Sequence, residues 1–310
     1  HIIREEDIPV LLSVGKDSVY IWENDETMMH ENDAAEVLYR MTANEHMHPS
    51  DVKEGKIEAI ADTEGLLKVD REKLKKVNAF GEMMIATRHG NTVVKKGDKL
   101  AGTRIIPLVI KKDKMQEAEK ICDGIPILKI LPFTVKKAAI ITTGNEVYHG
   151  RIKDAFTPVI EQKIAEFGAE MMFHEIFDDN DRKITDGCLR AIEAGADIVF
   201  CTGGMSVDPD DKTPLAIKNT GAEMISYGSP VLPGAMFLLS YYRKGDKVIP
   251  ICGLPGCAMY NRRTIFDLVL PRLMAADPVT ADELASLGEG GLCLNCKVCT
   301  FPNCGFGKGW

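Results

Sequence analysis

The sequence predicts an α/β protein: a doubly wound, mostly parallel sheet with helices on both faces, preceded by a smaller α+β or β-rich domain. Three observations predict it. From Lys136 onward, short apolar runs alternate with helical repeats, as strands and crossover helices do in a parallel sheet. Before residue 135 the candidate strands are shorter and separated by Gly- and Asp-rich turns. Hydrophobic content of 45% and charged content of 27% over 310 residues are those of a globular chain long enough for two domains. The division expected is a mixed domain over 1–135, an α/β domain over 136–275, and a linker with a cysteine-rich tail over 276–310.

The N-terminal part offers strands at DSVYIW, KIEAIAD, EMMIATR and TRIIPLVI, helices near 31–43 and 71–78, and a turn–strand–turn piece at GDKLAG. AAIITTG is then an apolar run ending at Gly144, the mark of a buried parallel strand. Phe156, Val159, Ile160, Ile164 and Phe167 recur at helical spacing, and Gly168 stands where that helix would stop. MMFHEIF is the next strand, Ile184, Cys188, Leu189 and Ile192 mark a second helix, and DIVFCTGG is a third strand. TPLAIKNTG is a helix with Pro214 in its first turn. Strands at EMISY and KVIPICG follow, then a helix from Tyr260 to Leu273. Pro278 and GEGG (288–291) read as a linker.

Composition excludes some functions. No apolar run reaches the roughly 18–20 residues a bilayer demands, so no membrane span is expected. A net charge of −8 argues against a general nucleic-acid binder. The chain opens at His1 and shows no signal peptide. Cys122, Cys188, Cys201, Cys252 and Cys257 are dispersed as reduced core thiols would be, which suits the cytoplasm.

The chemistry gathers at strand ends, where an open parallel sheet binds its ligands. The segments are Thr142-Thr143-Gly144-Asn145-Glu146, Asp178-Asp179-Asn180-Asp181, Thr202-Gly203-Gly204 through Asp211, and Gly253-Leu254-Pro255-Gly256. Glycines admit an anion to the backbone, and Thr202 and Ser206 add hydroxyl donors. Carboxylates beside a phosphate would repel it unless a cation intervenes. Glu146, Asp178, Asp179, Asp210 and Asp211 therefore point to Mg²⁺ shared with ligand phosphate oxygens. Each segment alone has an ordinary reading, TGG as a turn and Asp-Asp as a solvated helix cap. Four of them at one end of one sheet do not. His46 and His48 lack a third ligand and read as an exposed loop.

TTGNEV, the strand-end Asp pair, CTGGMSVDPDDKTP, PVLPG and ICGLPG, in this order, resemble the molybdopterin-binding domain of molybdenum-cofactor biosynthesis proteins. The chain as a whole resembles the MoeA/gephyrin-E type, molybdopterin molybdenumtransferase, strongly over 136–275. Over HIIREEDIPVLLSVGKDSVYIWE it is similar, more loosely, to the stretch before that family's core. The resemblance implies a pterin ligand, molybdopterin or its adenylylated form, and insertion of molybdate with Mg²⁺ assistance. It implies that Thr143, Gly144, Thr202, Gly203, Gly204, Met205 and Ser206 hold the phosphate end, with Pro233, Gly234, Gly253, Leu254, Pro255 and Gly256 completing the site. It places Glu146, Asp178, Asp179 and Asp211 in catalytic positions, with Asp210 and Asp211 at the magnesium. It also implies a homo-oligomer and a molybdoenzyme client. The family's lysine after Pro-Gly is Ala235 here, its asparagine is Phe156, and the residue after GLPG is Cys257. Two alternatives follow: a non-catalytic carrier or sensor of the cofactor, and, because GG…DDKT also resembles CinA-like proteins, a metal-dependent nucleotide pyrophosphatase.

The tail reads CLNCKVCTFPNC. Cys293, Cys296, Cys299 and Cys304 are spaced to enclose one Zn²⁺ or to ligate an iron–sulfur cluster, and spacing does not separate the two.

Overall fold

The computed structural model describes residues 3–19, 25–206 and 208–309. Half of the strand expected over 17–22 lies outside that set, as does Val207 in the Gly-Gly loop, and residues 17–19 form no strand. After a short helix α1 (Ile8–Ser13), the N-terminal part contains β1 (Met28–His30), α2 (Glu31–Thr42), β2 (Met47–Pro49), β3 (Lys56–Ala61) and β4 (Gly65–Val69). Next come α3 (Arg71–Asn78), β5 (Met83–Thr87), β6 (Thr92–Val94), β7 (Lys99–Ile105), β8 (Val109–Lys111), α4 (Lys112–Cys122) and β9 (Leu128–Leu131). Its strands form antiparallel sheets in the orders β2-β3-β7-β5 and β6-β4-β9, with β1 paired to β8, around one core. Lys112–Lys114 opens α4, and Met115, Ala118 and Cys122 bury its inner face. His48 pairs with Asp62 at 2.6 Å and belongs to no metal group.

The second part contains β10 (Lys137–Thr143), α5 (Asn145–Tyr148), α6 (Phe156–Ala165), β11 (Glu170–Phe177), α7 (Asp181–Glu193), β12 (Ile198–Thr202) and α8 (Thr213–Asn219). It continues with β13 (Glu223–Tyr227), β14 (Leu238–Lys244), β15 (Lys247–Leu254), α9 (Cys257–Tyr260), α10 (Ile265–Met274) and α11 (Ala281–Ser286). One six-stranded sheet runs β11-β10-β12-β15-β14-β13, with β11, β10, β12 and β15 mutually parallel. β10 and β12 are buried and apolar through Ala138–Ile141 and Ile198–Cys201, because both sheet faces are covered there. Ala138 and Ile140 pack with α6 and α10 on one face, and Ala139 and Ile141 with α7 and α8 on the other.

Three features differ from the sequence reading. FLLSYYRKGDK forms an antiparallel hairpin strand, β14, whose turn is centred on Gly245. The long helix expected from Tyr260 breaks at 261–264, where Thr264 and Asp267 form a capping box that restarts it as α10. The stretch read as a linker holds α11, with its own Thr280–Glu283 capping box. β10 and β11 also pair through a bulge: Ala138 faces Met171 but Ala139 faces Phe173, leaving Met172 extra. No helix among the described residues is long and apolar enough to cross a membrane.

Candidate functional site

The chain leaves β10 toward β11 on one side and returns to β12 on the other, so strand order reverses between β10 and β12. Such a switch point is where an open α/β sheet receives a ligand. Thr143, Phe177, Thr202 and Leu254 end their strands on the same edge. β14 begins on that edge too, since Leu238 pairs with Gly253, and Tyr227 at the end of β13 pairs with Leu238.

The Gly-Gly loop is fastened onto this edge rather than standing free. Gly203 has φ +82°, and a Cβ there would lie 2.1 Å from the Thr143 carbonyl oxygen. Gly204, at φ +54°, sits against the Thr213 hydroxyl. The Thr143 hydroxyl donates to the Thr202 carbonyl at 3.1 Å and lies 3.0 Å from that of Thr213. Both glycines are therefore required by loop packing. Met205 is buried with its thioether against Gly253, and its carbonyl accepts from the Tyr227 hydroxyl at 3.1 Å. The Ser206 N–H donates to Asp211 at 2.7 Å, so this amide and one Asp211 oxygen close the loop on itself.

Carboxylates cluster around the rim. Asp179 accepts from the Asn145 N–H at 3.1 Å. Its pKa is raised, first by burial and then by the charges of Glu146, Asp211 and Asp178, and the Asn145 bond only partly opposes this. Four of the five expected acids therefore share one electrostatic neighbourhood. Asp210 is exposed, its own N–H turned to Asp208, and it does not take part in that field. Asp178 binds Lys183 through one oxygen at 2.8 Å, while its other oxygen is buried without a partner. A raised carboxyl pKa means the ionised form is disfavoured in the fold, so stability is lost as pH rises through the folded value. Asp179→Asn should therefore raise Tm at pH 7 by about 1–2 °C, a modest gain because the group is part-exposed. The gain should shrink as pH falls through the folded value, which a series of thermal melts from pH 7 downward would show.

The opposite face of the same edge carries a polar cluster that sequence reasoning missed. Asp154 accepts from the Thr142 hydroxyl at 2.9 Å, the Thr157 hydroxyl at 2.5 Å, and the N–H groups of Phe156 and Thr157. His174 Nε2 lies 3.2 Å from both hydroxyls and 3.4 Å from Asp154. Burial works to raise the Asp154 pKa, but the bonds from Thr157, Thr142 and Phe156 outweigh it, and the net shift is downward. Beside this cluster the Thr202 hydroxyl is fully buried with no hydrogen-bond partner. Asp-x-x-Thr ahead of α6 was the available signal. The contribution of His174 depends on strand pairing, which the sequence does not display.

Other expected residues serve packing. Gly253 and Leu254 are the buried end of β15, Leu254 belongs to the core, and Pro255 is buried too, leaving only Gly256 exposed on the rim. Gly234 fits against Ile265, and the Pro233 carbonyl accepts from the Ile265 N–H. Among the described residues, no three His, Cys, Asp or Glu side chains are placed to hold a metal ion. Asp210 and Asp211 thus do not form a ready-made magnesium shell, because one Asp211 oxygen is spent on the loop. The four tail thiols do not form a closed shell either. They line a separate cavity of about 580 Å³. A second cavity, of about 850 Å³, lies between the N-terminal part and α10, and neither cavity is lined by the rim residues.

Residues 139–275 match the family model described as "Probable molybdopterin binding domain". A relative from Bacillus cereus (strain B4264), named as a competence-damage inducible protein, is 30% identical over 129 residues, 42% of this chain and 30% of its own length. A Bacillus subtilis (strain 168) protein of the same name is 32% identical over 85 residues, 27% of this chain and 20% of its own. The chain thus spans less than a third of the curated relatives it matches. The tungsten cofactor synthesizing protein MoaB of Pyrococcus furiosus has a TM-score of 0.39 at 18% identity, covering 46% of this chain and 98% of that one. Molybdopterin-binding-type sequence therefore begins inside β10 and ends just after α10, leaving the N-terminal part and the tail outside the match.

Proposed function

We propose that the edge between β10 and β12 binds an anionic pterin, molybdopterin or its adenylylated form, as a step of molybdenum-cofactor biosynthesis. The observation that carries this is the Thr202 hydroxyl, buried without a partner at the switch point. A buried hydroxyl left unpaired costs about 1–3 kcal/mol, a cost that a ligand acceptor removes. Of the two other orphans among the described residues, the one on Asp178 lies on the same rim and the one on Asn44 belongs to the N-terminal part.

In this reading the Thr143–Gly203–Thr213 contacts hold the two loops at fixed separation. Asp154 holds the start of α6 by its two main-chain bonds, and His174 keeps the Thr142 and Thr157 hydroxyls in register. Asp211 fixes the Gly-Gly loop through Ser206. Glu146, Asp178 and Asp179 make the rim hostile to a bare phosphoanhydride, so binding is expected to need a divalent cation. Mg²⁺, when bound with the ligand's own oxygens, would neutralise charge on the phosphoanhydride. Molybdate is the co-substrate. Zinc or an iron–sulfur cluster on the tail thiols enters no step of this chemistry.

Thr202→Val is the test. It should leave stability unchanged or raise it by up to about 1 kcal/mol, since the orphaned hydroxyl is gone, yet weaken pterin binding about 5–10-fold. Calorimetric titration with molybdopterin, alongside urea unfolding, reads both. Undiminished affinity would refute the proposed contact. AMP release from adenylylated pterin that depends on molybdate would establish the transferase. Binding without release would establish a carrier, a reading that Ala235 in place of the family's lysine favours. Hydrolysis of ADP-ribose or NAD would establish the pyrophosphatase, which the GG…DDKT run favours.

A further inference from the structure

The tail beyond α11 is held at its two ends and loose in its middle. Leu292 bridges to Leu232, and the Cys293 N–H donates to the Leu232 carbonyl at 2.8 Å. Phe306 is buried in the core, and Phe301, Cys293 and Cys304 pack against the same core. Phe301 also lies under the Arg263 guanidinium, 4.9 Å from its ring centroid. Between these anchors, residues 294–299 make no backbone-to-backbone hydrogen bond among the described residues, and the Lys297 carbonyl accepts only from the Arg262 guanidinium, at 3.4 Å. Leu294 and Val298 are 78% and 77% exposed. Nothing in apolar packing accounts for a loop of this composition keeping one shape.

All four tail cysteines nevertheless line one cavity, together with Arg262 and Arg263. All four are free thiols. Cys293 and Cys304 are part-buried and fixed by the core, whereas Cys296 and Cys299 are exposed on the loose loop. Asn295, at φ +49°, turns the chain tightly between the first two thiols. The thiols are not drawn into a closed shell here. The two that must move sit on the segment with the least to lose by moving.

We propose that these four cysteines bind one thiolate-ligated metal centre, a Zn²⁺ ion or an iron–sulfur cluster, and that the centre closes the tail onto α9, α10 and the Leu232 loop. Zinc binding releases the four thiol protons to solvent, forms four Zn–S bonds and oxidises nothing. Arg262 and Arg263 at the cavity wall offset the excess negative charge of a tetrathiolate site. Because few contacts hold the middle of the loop without metal, binding and ordering are coupled. This inference is independent of the pterin reading and uses none of its residues.

The experiment takes the full chain purified without oxygen and measures zinc, iron and acid-labile sulfide per chain. It then measures absorbance after Co²⁺ is added to protein stripped of metal. Zinc near one per chain, with a cobalt–thiolate charge-transfer band, identifies the ion. Iron with matching sulfide identifies the cluster. Either supports the proposal. The double variant Cys296→Ser/Cys299→Ser alters two exposed positions and should keep its circular dichroism while losing the metal. Its tail should also become more sensitive to limited proteolysis. The proposal is overturned by metal-free protein that gives no cobalt–thiolate band, by unchanged metal content in the double variant, or by two disulfides in the oxygen-free preparation.

Discussion

Asp267→Ala should unfold the protein at markedly lower denaturant, with a loss of about 3–5 kcal/mol and a Tm fall of roughly 10 °C. Asp267 is 7% exposed at the start of α10. One of its oxygens accepts from the Thr264 N–H at 2.8 Å, closing the capping box. The other accepts from Arg263 at 2.8 Å and from the Lys163 ammonium. Lys163 comes from α6, so this carboxylate ties together the two helices that cover one sheet face. Removing it strands a nearly buried ammonium and uncaps the helix in one step. Asp267→Leu combined with Lys163→Met should recover much of the loss, because the stranded charge leaves with its partner. Urea unfolding of the two single variants and the double measures the coupling. Additive losses would show that the pair does not act as a unit.

Gly203→Ala should cost about 2–4 kcal/mol, the sum of a positive-φ penalty and a forced clash. The added methyl meets the Thr143 carbonyl, a main-chain atom at the end of β10 that cannot yield without opening the sheet edge. Gly195→Ala is the control: at φ +101° it has no heavy atom within 4 Å of the new methyl and should lose only about 1 kcal/mol. The difference between the two urea midpoints isolates the clash. Equal losses would mean that the two loops are not locked together as described.

The buried strands were legible because β10 and β12, covered on both faces, are continuous apolar runs up to their terminal threonines, and such runs stand out. β14 was not, because FLLSYYRK turns polar half-way as it leaves the core at Arg243. The helix restart at Thr264 was hidden by a sequence that stays helix-compatible on both sides. In the site, the converging loops could be read from the alternation of elements, while their internal roles could not. Gly203 and Gly204 suggested room for an anion, yet their neighbours are Thr143 and Thr213. Met205 stood within the loop motif and proved to be core. Asp154, Thr157, His174 and Tyr227 reach the edge from strands and a helix start that are distant in sequence. Only pairing and packing reveal them.

The extra residue in β11 decides more than a local kink. Side chains along a strand take sides by odd and even count, and Met172 resets that count. With it present, Met172 and Phe173 both pack toward α7, and His174 falls on the side of Asp154 and Thr142. The same chain paired from the same start without the bulge would set Met172 opposite Ala139 and Phe173 opposite Ile140, sending His174 through to the other wall and bringing a phenylalanine to the side of the Asp154 carboxylate. The parity of a single strand thus determines whether that carboxylate meets an imidazole or a hydrocarbon ring.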